Sequence, residues 1–288
     1  MVTWPKRTVD WIEGGVAYLS VPFTWDLPAA YSQCVWYKTQ GYRVRAGGPA
    51  VSLMPDYLCG VAEVGGAVDA LPRHNPSAVF TSRGCVRSCD FCAVPRIEGD
   101  LVEIKDWEPR PVVCDNNLLA CSRAHFDRVI DKLKPVKGVD FNQGLDARLL
   151  KARHIDRLRE LDLSKVRLAW DDVKMEPVVM QAIKALLKVL PPRKVGVYVL
   201  VNFRDTPDDA QYRCETLKAM GVFPNVQRFQ PLHATVKDSY LAPGWDEKWL
   251  RRFVRYWSRQ VRLEHIPFES YTLRKIEKAT SLPLKEVL

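Results

Sequence analysis

Along this chain, apolar β-branched runs alternate with stretches whose apolar residues recur at helical spacing. The strand-like runs fall near 78–81, 110–114, 136–141, 165–170, 195–201 and 226–230. Helical patterns lie between most of them, at 122–133, 147–160, 175–189 and 208–220. In the second of these, Leu149, Leu150, Ile155, Leu158 and Leu161 mark one apolar face, as in a helix packed on a core. Strands alternating with helices predict an α/β fold with a parallel sheet and right-handed crossovers. Such units fall short of a closed eight-fold barrel, so a partial (β/α)6 barrel is expected over residues 71–232.

The flanks read differently. Residues 1–70 predict a small α/β appendage: a strand at 16–20, a helix at 28–38, an extended piece at 42–46 running into Gly47-Gly48-Pro49, and a short helix near 51–59. Residues 66–77 read as a linker. Residues 233–288 predict a helical extension, with one aromatic and basic helix at 246–262 and a final helical stretch from about 270.

Composition narrows the setting. The longest apolar stretch, about Val195 to Val201, is far shorter than the ~18 residues of a membrane span. The first residues carry Trp4, Pro5, Lys6, Arg7, Asp10 and Glu13 and no apolar core, so no signal peptide is expected. The expected location is the cytoplasm, of the host if the protein is viral, where thiols stay reduced and free for metal. Lysine and arginine outnumber aspartate and glutamate 43 to 34, and the resulting charge of +9 favours a polyanionic partner such as nucleic acid. Of eight cysteines, Cys34, Cys59, Cys114, Cys121 and Cys214 are scattered and read as small buried hydrophobes. Cys85, Cys89 and Cys92 fall together.

These three lie in Gly84-Cys85-Val86-Arg87-Ser88-Cys89-Asp90-Phe91-Cys92, directly after the first strand of the alternation. On a short loop with no strand geometry to stiffen it, thiolates at these spacings can converge on one metal cluster. Three ligands on a 4Fe–4S cluster leave one iron open for a substrate or cofactor. Structural zinc remains the alternative, with Cys114 or His74 as a fourth ligand. In parallel α/β folds, chemistry gathers at the C-terminal ends of strands.

Over residues 78–232 the chain resembles the radical S-adenosylmethionine (SAM) superfamily, whose signature is Cys-x-x-x-Cys-x-aromatic-Cys after a first strand. The resemblance implies that Cys85, Cys89 and Cys92 hold a 4Fe–4S cluster and serve catalysis. The cluster would cleave SAM reductively to a 5′-deoxyadenosyl radical, which abstracts hydrogen from the substrate. A flavodoxin or ferredoxin would supply the electron. Cofactor contacts are expected from Phe91 and from polar residues at the strand ends: Asp115, Asn116 and Asn117; Gln143 and Asp146; Asp171 and Asp172; Asn202; Gln230. The appendage is similar to a shortened cobalamin-binding domain. No histidine precedes His74, so the family's cobalamin ligand motif is absent and cobalamin is not expected.

The substrate reading rests on the helix at 246–262. Arg251, Arg252 and Arg255 interleave there with Trp249 and Tyr256, a mixture suited to phosphates and exposed bases. The compact chain with its basic tail is similar to phage radical SAM enzymes that hypermodify thymidine in DNA. That resemblance implies an isomerase-type rearrangement of an amino-acid-decorated thymidine. The alternatives are another radical SAM reaction on tRNA or peptide, such as methylthiolation or methylation, and a non-catalytic zinc-bearing protein that binds nucleic acid. Oligomeric state is not legible.

Overall fold

The computed structural model describes residues 8–65, 70–259 and 266–271. Two sheets organise it. The smaller has the order β1 (Val9–Glu13), β2 (Val16–Ser20), β3 (Arg43–Gly47), β4 (Glu63–Val64). β1, absent from the sequence reading, pairs antiparallel with β2 across Gly14-Gly15. Both glycines have positive φ, the geometry a two-residue hairpin requires. The remaining pairs are parallel, with α1 (Leu27–Thr39) and α2 (Pro49–Leu53) in the crossovers. The helix expected at 51–59 is divided: α2 ends at Leu53, and Pro55, which has no N–H to donate, opens a separate 3₁₀ turn to Leu58.

After α3 (Leu71–His74) comes the larger unit. In chain order it contains β5 (Ala78–Val79), β6 (Ser82–Arg83), α4 (Val94–Ile97), β7 (Val102–Glu103), β8 (Val112–Val113), α5 (Arg123–Leu133), β9 (Val139–Phe141), α6 (Ala152–Leu158), β10 (Leu163–Ala169), α7 (Glu176–Leu187), β11 (Val195–Val201), α8 (Pro207–Ala219), β12 (Phe223–Arg228) and α9 (Glu247–Trp257). Six of these strands form one parallel sheet in the order β12-β11-β10-β9-β8-β5. Spatial order follows chain order with no reversal. Crossovers of one hand then stack the helices on a single face. Burial alternates accordingly: Val166, Leu168, Val197, Val199 and Val201 are wholly buried, whereas Arg167, Tyr198 and Leu200 on the other face keep partial exposure.

Several elements are shorter than their sequence patterns. α6 starts only at Ala152, because Lys151 is extended and residues 147–149 form a turn. Leu149 and Leu150 still pack on the core from that turn. Pro224 lies within β12, which tolerates it as an edge strand with one unpaired side.

The chain has two hydrophobic cores. One spans Ala17 to Val61 under the small sheet. The other runs from Val79 to Phe268 and includes Leu250, Phe253 and Trp257 of α9. The helix of the expected C-terminal extension is therefore part of the main core, packed on β12. Its residues 260–262 and the final helix expected from about 270, beyond Tyr271, lie outside the described residues. Among the described residues several links join the units, including Arg73 of α3 over the Trp11 ring of β1 at 5.3 Å. Thr24 Oγ1 donates to Ala234 O at 2.6 Å, Ser20 Oγ and His74 Nε2 are hydrogen-bonded at 2.9 Å, and α2 packs against α4. Among the described residues no helix is long and apolar enough to cross a membrane.

A candidate metal centre at the carboxyl edge of the sheet

Because all six strands are parallel, their C-terminal ends share one edge. The first of them delivers the cysteines. The loop is not free of strand structure, contrary to the sequence expectation. β6 and β7 close its base as an antiparallel ladder, Ser82 opposite Glu103 and Arg83 opposite Val102. Two-residue strands carry no alternation, so nothing in the sequence announced them. Gly84 follows at φ +73°, and a Cβ there would lie 2.0 Å from Asp100 O. Only glycine lets the returning strand approach so closely. Glu98 clasps the loop from inside. Its carboxylate accepts from Gly84 N at 2.8 Å, from both arms of Arg83 at 2.8 and 2.9 Å, and from Asn116 Nδ2 at 2.7 Å. Sequence reasoning missed Glu98, which no motif marks.

Cys85, Cys89 and Cys92 are all half-buried on this loop, and all are free thiols. Burial pushes the Cys89 and Cys92 thiols above their ordinary value, while Arg148 and Arg87 oppose that at Cys89. Cys85 Sγ faces two donors, Arg87 N at 3.4 Å and Asn117 Nδ2 at 3.6 Å. N–H groups aimed at a sulfur stabilise the thiolate that a metal requires. The other cysteines lie elsewhere. Cys34, Cys114, Cys121 and Cys214 are buried as expected, but Cys59 is exposed.

Asp146 organises the polar surroundings. It accepts from Arg87 Nε at 3.1 Å, Arg148 Nε at 2.7 Å and Asn117 Nδ2 at 3.4 Å. Burial would raise its carboxyl, but Arg148 and Arg87 outweigh burial and hold it below the usual range. Asp171, at the end of β10, goes the other way: burial lifts it to about 6 despite Arg213 and Arg148. Arg213 is itself fully buried, donating to Trp170 O at 2.7 Å and paired with Asp205. It holds the ends of β10 and β11 together, a role invisible in a helix-borne arginine read from sequence.

The remaining strand-end residues divide by what they touch. Asp115 is buried and accepts from Thr81 N at 2.6 Å, Ser82 N at 3.0 Å and the Thr81 hydroxyl. It fixes the turn from β5 into β6 and does not face an open site. Asn202, at φ +65°, is also fully buried. Its amide donates to Tyr240 O at 3.1 Å and accepts from Ala242 N at 2.8 Å. Gln230 is tied reciprocally to Asp238. Asp172 caps the following 3₁₀ turn through Lys174 N at 2.8 Å. Gln143 is exposed, and Asn116 is bound to Glu98. Phe91 is half-buried, and its ring meets that of Phe203 edge to face with centroids 5.7 Å apart.

On α9 the structure separates the residues that sequence grouped. Tyr256 is 1% exposed and donates to Ile266 O at 2.6 Å, so its ring belongs to the core rather than to a nucleic-acid surface. Trp249 stacks on Phe253 at 4.7 Å and meets Phe268 edge-on. Arg252 lies over the Phe268 ring, Arg255 is half-buried and Arg251 is exposed.

The donor set suits a soft metal or an iron–sulfur cluster: three thiols, amide donors at one of them, and arginines to offset charge. Among the described residues no group of three or more His, Cys, Asp and Glu side chains is gathered closely enough to hold a metal ion. Neither proposed fourth zinc ligand joins the loop: His74 is bound to Ser20, and Cys114 is buried on β8's end. Fold and site thus define an α/β protein with a clasped thiol loop at the carboxyl edge of a six-stranded parallel sheet. No protein-family model matches the chain, and no curated protein matches it significantly in sequence.

Proposed function

We propose that this chain is a radical SAM enzyme whose Cys85, Cys89 and Cys92 hold a 4Fe–4S cluster, and that its sheet curves as a partial (β/α)6 barrel. One observation carries the reading. The three thiols sit on a clasped loop after the first strand of a parallel sheet whose order never reverses, and crossovers of the usual right hand would leave the face opposite the helices for substrate. Bound there, cluster and SAM would supply an electron and a carbon-centred radical able to remove hydrogen from an unactivated carbon. The chain's own residues do the rest. Arg87 and Arg148 offset the charge of three thiolates, and Asp146 holds both guanidiniums in place. Asp171 stands near Cys89 and Arg148 as a carboxyl able to accept from a cationic amine. The half-buried rings of Phe91 and Phe203 limit water at this edge.

The reaction we assign is a rearrangement on a nucleic-acid base, an amino-acid-decorated thymidine in DNA, with a flavodoxin or ferredoxin as electron donor. The net charge of +9 and the exposed cations Lys248 and Arg251 on α9 support an acidic polymer as partner. The test is anaerobic purification, an iron and sulfide count, reduction, and assay for 5′-deoxyadenosine. About four irons per chain with 5′-deoxyadenosine formed is the expected result. Zinc in place of iron, with SAM intact, would overturn it in favour of a binding protein. Alanine at Cys85, Cys89 or Cys92 should remove iron and SAM cleavage together.

A further inference from the structure

The aromatic residues placed to meet a nucleobase are not those of α9. Four half-buried rings stand in a row along the carboxyl edge, beginning at the cysteine loop. Phe91 meets Phe203 at 5.7 Å, Phe203 meets Phe229 at 4.6 Å, and Phe229 meets Tyr240 at 5.4 Å. They come from separate places: the loop itself, the ends of β11 and β12, and the segment after β12. Ordinary core rings in this protein are almost fully buried, as Phe126, Phe253 and Trp257 are, whereas these keep solvent contact. Arg204 stands 5.0 Å over the Phe203 ring with its side chain 69% exposed.

The far end of the row is held in place by buried polar groups. Tyr240 O accepts from Asn202 Nδ2 at 3.1 Å and from Arg228 Nη2 at 2.8 Å. The Arg228 side chain, 7% exposed, also reaches Asp238 O and the Glu247 carboxylate. Gln230 and Thr24 pin the same segment at Asp238 and Ala234. Such anchoring fixes Tyr240 before any ligand arrives, which cuts the ordering cost of binding.

We infer that Phe229 and Tyr240, whose rings meet edge to face at 5.4 Å, form a corner for one unstacked base of a nucleic-acid strand, its face on one ring and its edge against the other, with Arg204 farther along the row over Phe203. A flat, uncharged ring on a phosphate chain matches each part: a ring face and a ring edge for the base, and for the phosphate the exposed Arg204 guanidinium, which Asp90 orients at 2.6 Å. This assignment rests on the proposed function for its biological sense, but its test does not use the cluster.

The test is fluorescence anisotropy with a labelled single-stranded dT12 and an abasic strand of equal length and charge. The native chain should bind dT12 tighter than the abasic strand by about tenfold, within the range measured for stacked bases. Tyr240→Ala should erase that preference while leaving affinity for the abasic strand, and Tyr240→Phe should retain it. Phe229→Ala should act likewise, and thermal melts of each variant identify any that fail to fold. Equal affinity of the native chain for both strands, or an unchanged preference in folded Tyr240→Ala, overturns the assignment. Failure of the enzyme reading shows separately, as absent 5′-deoxyadenosine from the native protein.

Discussion

Glu98 holds more of the cysteine loop than any cysteine does. Its carboxylate takes four donors from two segments, Arg83-Gly84 and Asn116, and hydrogen bonds to a charged group contribute about 1.5–3 kcal/mol each. In Glu98→Ala the loop should open without unfolding the sheet. Trypsin should then cut after Arg87 and Arg96 at least several-fold faster, with far-ultraviolet circular dichroism unchanged. Unaltered cleavage would remove the clasp role. A second residue-scale prediction concerns His154, buried against Phe126, with its Nδ1 accepting from Lys151 N at 3.1 Å. Burial, then Arg153 and Lys151, lowers its pKa to about 4. The unfolded chain binds a proton near pH 6.5 that the folded chain refuses. Stability from this group is therefore complete above pH 6.5 and is lost as pH falls towards about 4, by about 3 kcal/mol in all. Urea titrations across that range should show the loss, and His154→Asn should flatten it.

At the scale of elements, the buried pair of Arg213 and Asp205 ties α8 to the ends of β10 and β11. Arg213→Met leaves a buried carboxylate without its cation and should cost about 3–5 kcal/mol in urea unfolding. Adding Asp205→Asn should recover part of that cost, since the stranded charge is gone. A loss that Asp205→Asn leaves untouched would mean that Arg213 acts by packing alone. Elements were legible where periodicity ran long. β11 was read to the residue from its apolar run, and α1, α5 and α8 within a residue or two. What failed was short or conditional. β6 and β7 exist only because Glu98 and Gly84 draw the loop closed, and β1 depends on a glycine turn whose strands show little contrast. The site divides the same way. The thiols, Asp146 and Asn117 were singled out from sequence and lie together, because strand ends gather by topology. Asn202 and Asp115 were also at strand ends, but their side chains turn inward to backbone partners. A sequence places a residue at an edge and leaves its rotamer unstated.

For the whole molecule, the contact of α2 with α4 matters most. α4 lies inside the cysteine loop, between Cys92 and Glu98, so the small unit touches the segment that carries the thiols. Filling the site should quieten α4 and through it α2. Hydrogen exchange of residues 49–53 should slow measurably on reconstitution with iron and sulfide, relative to β1, which is remote from the contact. Equal change in both would indicate general stabilisation instead.

The unbroken strand order has a consequence for how the protein comes into being. β8 can pair with β5 as soon as both have left the ribosome, β9 with β8 after that, and so on to β12. Each new strand finds a neighbour already made, and no strand waits for a partner far along the chain. Loop-closure entropy is met in small instalments, which keeps the interval of exposed strand edge brief. The last strand, β12, is packed by α9, the next helix to be synthesised. Growth of the sheet thus ends with a helix packed on its final strand, and truncation before Glu247 would release chains whose β12 lacks that packing and is aggregation-prone.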